Sequence, residues 1–145
     1  MRGVFSEHCL EHFDLKSAVG LLREFRRVLD PSGTLRLVVP DAELYLRTYV
    51  NQLDGVVELH FPFEETESQT PGWTPMSSVN RVFYQDRASA FGHRTTYDFR
   101  MLRALLAQCG FKKAVRRAFG VSADPVLLIE RTARKVESLY VEVTD

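Results

Sequence analysis

Residues 4–41 of this chain read VFSEHCLEHFDLKSAVGLLREFRRVLDPSGTLRLVVPD. This pattern predicts a strand, a short polar loop, an amphipathic helix at about Leu15–Leu29, a tight turn and a second strand. Because Thr34–Val39 is almost continuously apolar, we expect this strand to be covered on both faces, as in a parallel sheet. The stretch therefore predicts an α/β fold, in which Gly3–Phe5 and Thr34–Val39 are parallel neighbours joined by a right-handed crossover.

The rest of the chain continues this alternation of helices and strands. The residues predicted to begin or end helices are Asp14 or Ser17, Asp41, a capping box of Thr95 and Asp98, and Gly110. Further strands are predicted at Phe111–Phe119, at Val126–Ile129 and, as a possible last strand, at Leu139–Val143. The basic residues of Phe111–Phe119 favour an edge position. We expect a single domain, residues 1–145, with an irregular insertion at about 54–94.

Composition and charge argue against several kinds of partner. The 145 residues include 19 basic and 19 acidic residues, so electrostatics give no reason to expect nucleic acid or an anionic membrane surface. No apolar run approaches the roughly 18 residues that span a bilayer, and no secretory leader is visible. The two cysteines, Cys9 and Cys109, do not form a close-spaced metal pair. We therefore expect reduced thiols and a cytoplasmic protein.

Residues 6–12, SEHCLEH, and residues 27–33, RVLDPSG, form two motifs in the right order. They resemble motifs of the class I S-adenosylmethionine-dependent methyltransferases, type 11-like. The sequence SEHCLEH at residues 6–12 is similar to the S-x-x-L-E-H loop that follows the fourth strand of that family. The sequence RVLDPSG at residues 27–33 is similar to the R-V-L-K-P-G-G turn before the fifth strand. Further similarities to one bacterial subgroup are Val39-Pro40-Asp41, Gly92-His93, Tyr97, Leu102, Cys109-Gly110-Phe111 and Glu137–Glu142.

The resemblance implies an incomplete Rossmann-like methyltransferase fold, with a mostly parallel open sheet, flanking helices and an antiparallel C-terminal strand. The glycine-rich G-x-G-x-G cofactor loop of the family has no counterpart in this sequence. We therefore expect the C-terminal half of the fold, with S-adenosylmethionine as cofactor but only weak binding by this chain alone. Gly3–Phe5 would then form an open sheet edge, which predicts a homodimer through the N-terminal strand.

The resemblance also implies where the cofactor and a catalytic base would lie. Ser6, Glu7 and His8 would face the methionine end of the cofactor or the substrate. His8 and His93 are the candidate catalytic residues, since an imidazole can act as a base near neutral pH. Glu11 and His12 would form local hydrogen bonds that fix the loop.

The insertion at about 54–94 would form a lid over a small-molecule acceptor, as such insertions do in that family. The substrate candidates within it are His60, Trp73, Tyr84 and Arg94. An alternative remains open for each: the aromatic side chains can simply pack the insertion onto the domain, and His93 with Arg94 can be a solvated pair.

Three functions remain open at this point. The leading one is methyl transfer from S-adenosylmethionine to a small-molecule or glycan acceptor, if the missing half completes the site. The second is a non-catalytic remnant that acts as an oligomerisation or interaction module. The third is a zinc hydrolase, because residues 8–12 match H-x-x-E-H, in which two histidines one helical turn apart share a metal. The motif directly follows a strand and the resemblance explains it without metal, so we expect no metal site.

Overall fold

The computed structural model describes residues 1–56, 60–84 and 92–144. Within these ranges the strands are β1 (Gly3–Glu7), β2 (Thr34–Pro40), β3 (Lys113–Arg117) and β4 (Ser138–Thr144). The α-helices are α1 (Leu15–Val28), α2 (Ala42–Leu53), α3 (Pro62–Glu67), α4 (Pro75–Tyr84) and α5 (Phe99–Gln108). Short 3-10 turns lie at Leu10–His12, Pro125–Leu127 and Thr132–Arg134. Over the described residues, none of the helices combines the length with the apolar character that a bilayer crossing requires.

The four strands form one open sheet in the order β1-β2-β4-β3. β1 and β2 are parallel, with Val4 opposite Leu35, whereas β4 runs antiparallel to both of its neighbours. Three strands therefore point in one direction and the C-terminal strand in the other, which confirms the predicted α/β sheet. β3 lies at an edge of the sheet, as its basic residues predicted.

The prediction of a strand at Val126–Ile129 is wrong. Pro125–Leu127 forms a 3-10 turn, in which the Asp124 carboxylate accepts a hydrogen bond from the Val126 amide at 3.1 Å. The side chains of Val126 and Ile129 are largely solvent-exposed. Pro125 and the capping Asp124 favour a turn here, because proline fixes φ and lacks the N–H that a strand ladder needs.

β2 separates two chemically different faces of the sheet, because side chains alternate along a strand. Leu35 and Val39 join the main core, where α1 and α5 cover the sheet. Arg36 projects to the opposite face and is fully buried there. Its guanidinium donates to the Val121 carbonyl at 2.9 Å and to the Glu130 carboxylate at 2.6 Å. This side chain therefore holds the long connection between β3 and β4 against the sheet.

Helix ends are set by local capping. Asp14 and Asp41 cap α1 and α2, as predicted, and each accepts a hydrogen bond from the amide three residues later. Asp98 rather than Thr95 is the N-cap of α5, so the predicted capping box is wrong. Gly110 follows the end of α5 with φ of 92°, a left-handed conformation that favours glycine.

The predicted irregular stretch at 54–94 contains the two helices α3 and α4. Tyr45, Phe61 and Val82 form a second small core, in which the rings of Tyr45 and Phe61 stack at 4.1 Å. The buried Glu64 carboxylate accepts a hydrogen bond from the Phe61 amide at 3.0 Å and so fixes the start of α3. The prolines and aromatic residues that weaken the periodicity therefore begin and anchor short helices. A role of this stretch as a lid stays a prediction.

Candidate functional site

The predicted site residue His8 begins the loop that follows β1, and Ser6 and Glu7 are the last two residues of that strand. In open α/β sheets, ligands bind beyond the carboxyl ends of the parallel strands. His8 leaves β1 with a left-handed backbone, φ 44°, while its amide donates to the Val38 carbonyl at 2.8 Å. Farther along, the Glu11 carbonyl accepts a hydrogen bond from the Arg94 amide at 2.8 Å. The loop after β1 and the segment before α5 are thus joined through their main chains.

Four side chains meet where these two segments join, and we call His8, Glu11, His12 and His93 the histidine–glutamate cluster. Oε1 of Glu11 lies 3.5 Å from Nδ1 of His8, 3.7 Å from Nε2 of His12 and 4.0 Å from Nε2 of His93. The rings of His12 and His93 pack edge to face with their centroids 5.0 Å apart. Three imidazoles therefore surround one carboxylate oxygen.

Groups outside the cluster orient two of its rings. Nδ1 of His93 lies 2.7 Å from the Val82 carbonyl oxygen. A carbonyl can only accept, so Nδ1 carries the proton and Nε2 of the neutral ring presents its lone pair towards Glu11. Nε2 of His8 lies 2.8 Å from Oγ of Ser138 on β4, which leaves Nδ1 on the Glu11 side.

Burial determines the electrostatics of the cluster. The Glu11 side chain is 1% exposed, and neither of its carboxylate oxygens has a hydrogen-bond partner among the described residues. Burial raises the pKa of Glu11 to about 7 and lowers the pKa of His8 to about 4, with Arg134 adding to the effect on His8. Burial also lowers the pKa of His93. Burial therefore favours the neutral forms of all three groups, Glu11, His8 and His93.

A cleft of about 530 Å³ opens beside the cluster. Its lining includes Asp14, Phe83, Tyr84, His93 and Arg94. Small-molecule sites typically measure about 300–1,000 Å³ and combine apolar walls with a few polar groups. The aromatic rings can contact an apolar body, while the guanidinium and imidazole can contact an acidic or hydroxyl group.

The structure brings some of the predicted substrate and base residues together and leaves others apart. Tyr84, Arg94 and the candidate base His93 line the cleft. His60 lies before α3, where its exposed ring packs edge to face on Phe61 at 5.0 Å. Trp73 is half-buried just before α4 and does not line the cleft. Substrate contact by any of these side chains stays a prediction.

The predicted cofactor-facing residues lie at the carboxyl end of β1 and have partners within the protein. The Glu7 carboxylate accepts a hydrogen bond from the Arg131 amide at 2.9 Å. Ser6 is buried, and His8 contacts Ser138 as described above. Contact of these three side chains with a cofactor stays a prediction.

Sequence reasoning missed the role of Glu11 in the cluster. Its carboxylate makes no local hydrogen bond, and its main-chain carbonyl fixes the loop instead. The H-x-x-E-H motif correctly indicated this loop, but its residues do not form the α-helix that would place His8 and His12 on one face. Residues 10–12 form a 3-10 turn, and His8 before it has a left-handed backbone conformation. No sequence signal connects His93 to Glu11, since their proximity depends on the fold.

Comparisons with known proteins support the fold. No family model matches the sequence, and no curated protein matches it either. A solved structure described as a putative O-methyltransferase, from Nostoc punctiforme, is similar with a TM-score of 0.53 and 13% sequence identity. The similarity covers 99% of this chain and 31% of that chain, so this chain spans less than a third of that protein. At this identity the likeness shows a methyltransferase-like fold and no more.

Proposed function

We propose that this chain is the acceptor-binding part of an S-adenosylmethionine-dependent methyltransferase, which transfers a methyl group to a small-molecule or glycan acceptor in the cytoplasm. The observation that carries the proposal is the position of the cleft, which opens beside the loop that follows β1. Open α/β sheets bind ligands beyond the carboxyl ends of their parallel strands. The fold likeness and the methyltransferase-like motifs at residues 6–12 and 27–33 support the same assignment.

The proposed reaction moves the methyl group from the sulfonium of S-adenosylmethionine to an acceptor oxygen, while the acceptor hydroxyl loses its proton. Phe83 and Tyr84 would contact the apolar body of the acceptor, and Arg94 an acidic group on it. His93 lines the cleft, whereas Nε2 of His8 is in contact with Ser138. His93 is therefore the preferred candidate for accepting the proton.

Chemical-shift mapping with S-adenosylhomocysteine tests the cofactor side of the proposal. We expect weak binding, because the 145 residues contain no G-x-G-x-G loop to supply backbone amides. The perturbed amides should lie at residues 6–8 and 92–94. A dissociation constant of about 1 μM or tighter, or about −8 kcal/mol, would contradict the expected partial site. Perturbations confined to the amino ends of the strands would contradict the proposed location.

Transfer of a labelled methyl group into a mixture of small hydroxylated molecules tests the acceptor side. With S-adenosylmethionine in large excess, which offsets the weak cofactor binding expected of a partial site, the wild-type chain should give labelled product at a low rate. Arg94→Ala should give less, while Arg103→Ala on the exposed face of α5 should match the wild type. Cofactor binding without any labelled product would contradict catalysis by this chain and would favour the non-catalytic interaction module.

A further inference from the structure

We propose that Glu11, His12 and His93 form a binding site for a divalent transition-metal ion of the zinc type. The sequence alone led us to expect no metal site, and the H-x-x-E-H interpretation would have paired His8 with His12. The structure assembles a different set, since it adds His93 from the segment before α5. This inference concerns ion binding and does not depend on methyl transfer.

The donor atoms of the three residues lie close enough together to share one ion. Oε1 of Glu11 lies 3.7 Å from Nε2 of His12 and 4.0 Å from Nε2 of His93, and ligand atoms of all three residues lie within 4.8 Å of one another. A tetrahedral ion with bonds of about 2.0–2.2 Å places neighbouring donors about 3.3–3.6 Å apart. Side-chain movements of about 1 Å therefore bring the three donors onto one ion.

The site also contains buried carboxylate oxygens that no described residue satisfies. Both carboxylate oxygens of Glu11 are buried and have no hydrogen-bond partner within the described residues. A buried polar group without a partner costs about 1–3 kcal/mol, and more when it is charged. A metal ion would satisfy the Glu11 carboxylate at the point where two imidazole nitrogens already face it.

Groups behind the ligands hold them in place. Metal-binding histidines usually donate their other ring N–H to a carbonyl or a carboxylate, which fixes the tautomer and the orientation of the ring. His93 has this arrangement, because Nδ1 donates to the Val82 carbonyl at 2.7 Å and Nε2 faces Glu11. The main-chain hydrogen bond from Arg94 to Glu11 holds the two ligand-bearing segments together without metal.

The donor set indicates the class of ion. Two imidazoles and one carboxylate suit zinc and its first-row neighbours, whereas Mg²⁺ and Ca²⁺ prefer sites made of oxygen atoms. Nδ1 of His8, 3.5 Å from the same Glu11 oxygen, is a nearby further donor. An ion bound to Nε2 of His93 would occupy the nitrogen that would accept the proton in the proposed methyl transfer. Metal binding by His93 is therefore tested separately from its role as a base, in experiments without substrate.

Calorimetric titration of the chelator-treated chain with ZnCl₂ tests the proposal. We expect one Zn²⁺ per chain and no comparable binding of Mg²⁺. Glu11→Gln, His12→Ala and His93→Ala should each weaken binding by at least about 100-fold, since loss of an outer-shell partner alone costs about 10–100-fold. His8→Ala should retain more affinity than His93→Ala.

Two matched variants serve as controls, because the chain has four histidines and only His60 lies outside the cluster. His60→Ala and Cys9→Ser should bind Zn²⁺ like the wild type. Circular dichroism of each metal-free variant establishes that it is folded. If a cluster variant unfolds, spectroscopy of the wild-type chain replaces it as the test. Co²⁺ should then give visible d–d absorption, and Zn²⁺ should shift the side-chain ¹⁵N resonances of His12 and His93.

Three results would overturn the proposal. The first is no stoichiometric Zn²⁺ binding by the wild type, which would favour a proton shared between Glu11 and a histidine. The second is an unchanged Zn²⁺ affinity in folded His93→Ala together with a loss of Zn²⁺ affinity in His8→Ala. This result would show that His8 and His12, the pair in the H-x-x-E-H motif, bind the ion. The third is loss of binding in His60→Ala or Cys9→Ser, which would place the ion elsewhere. Since these readouts involve neither cofactor nor acceptor, failure of the proposed methyl transfer would leave them unaffected.

Discussion

Replacing Arg36 with methionine should destabilise the protein strongly, because this buried cation holds the connection between β3 and β4. The Arg36 side chain is 0% exposed and pairs at 2.6 Å with Glu130, whose side chain is 2% exposed. Arg36 also donates to the carbonyls of Val121 at 2.9 Å and Ala118 at 3.4 Å. The same Glu130 oxygen accepts a hydrogen bond from the Gly120 amide at 3.0 Å.

The expected cost follows from what the substitution leaves behind. Arg36→Met keeps an apolar stem of similar shape but leaves the Glu130 carboxylate buried without its cation. Breaking a buried pair in this way costs about 3–5 kcal/mol. Because the Gly120 amide still satisfies part of the carboxylate, we expect a value near the lower limit, about 3 kcal/mol. With a urea slope of about 1–3 kcal/mol/M, the unfolding midpoint should fall by about 1–3 M.

Urea unfolding monitored by circular dichroism measures this loss, and a double-mutant cycle assigns it to the pair. Arg36→Met with Glu130→Gln should cost clearly less than the sum of the two single variants, because the double variant leaves no charge unpaired. Arg47→Met is the control, since Arg47 is 74% exposed and pairs with Glu43 on the surface of α2. Its cost should stay below about 1 kcal/mol.

Two results would refute this reasoning. One is a loss of less than about 1 kcal/mol for Arg36→Met, which is what a surface pair contributes. The other is a double variant whose cost equals the sum of the single costs, since additive effects would show that Arg36 and Glu130 act independently.

Three further predictions concern acid stability, helix capping and assembly. Burial alone raises the pKa of Glu142, but hydrogen bonds from Ser122, Ala123 and Arg117 outweigh it and hold the pKa below its usual range. The stabilising contribution of Glu142 is therefore fully present above the pKa of about 4.3 that this carboxyl has in the unfolded chain, and it is lost as the pH falls through its pKa in the folded protein. An acid titration monitored by circular dichroism should show that the free energy of unfolding depends less on pH in Glu142→Gln than in the wild type. Asp98→Ala should lower the free energy of unfolding by about 1 kcal/mol in a urea titration, since it removes the cap of α5. Light scattering at tens of micromolar should report twice the 16.6 kDa chain mass, since β1 forms an edge of the sheet.

Each of these has a contrary result. An acid transition unchanged in Glu142→Gln would show that this carboxylate titrates alike in the folded and unfolded states. An unchanged urea midpoint in Asp98→Ala would show that α5 needs no side-chain cap. A monomer in light scattering, or a dimer whose contact excludes β1, would contradict assembly through the N-terminal edge.

Features encoded by neighbouring residues could be predicted from the sequence. The apolar stripe of α1 and the continuous run of β2 predicted a parallel strand–helix–strand unit, and the structure confirms it. Asp41 was predicted as a cap, and Asp14 was one of two predicted candidates beside Ser17, since a capping side chain needs only the amide two or three residues later. The possible last strand at Leu139–Val143 is β4, whose alternation buries residues on both faces of the sheet.

Features that depend on distant partners were decided only by the tertiary structure. Val126–Ile129 has strand-like composition, yet its first residues lie beside β1 in a 3-10 turn, with Leu127 against Gly3, and do not pair with that strand. Arg36 is accommodated within an apolar run because its guanidinium pairs with Glu130, which is distant in sequence. The cluster around Glu11 could not be predicted for the same reason. Glu11 reaches His93 because the loop after β1 and the segment before α5 are joined by main-chain hydrogen bonds, and hydrogen bonds between backbones carry no side-chain signature in the sequence.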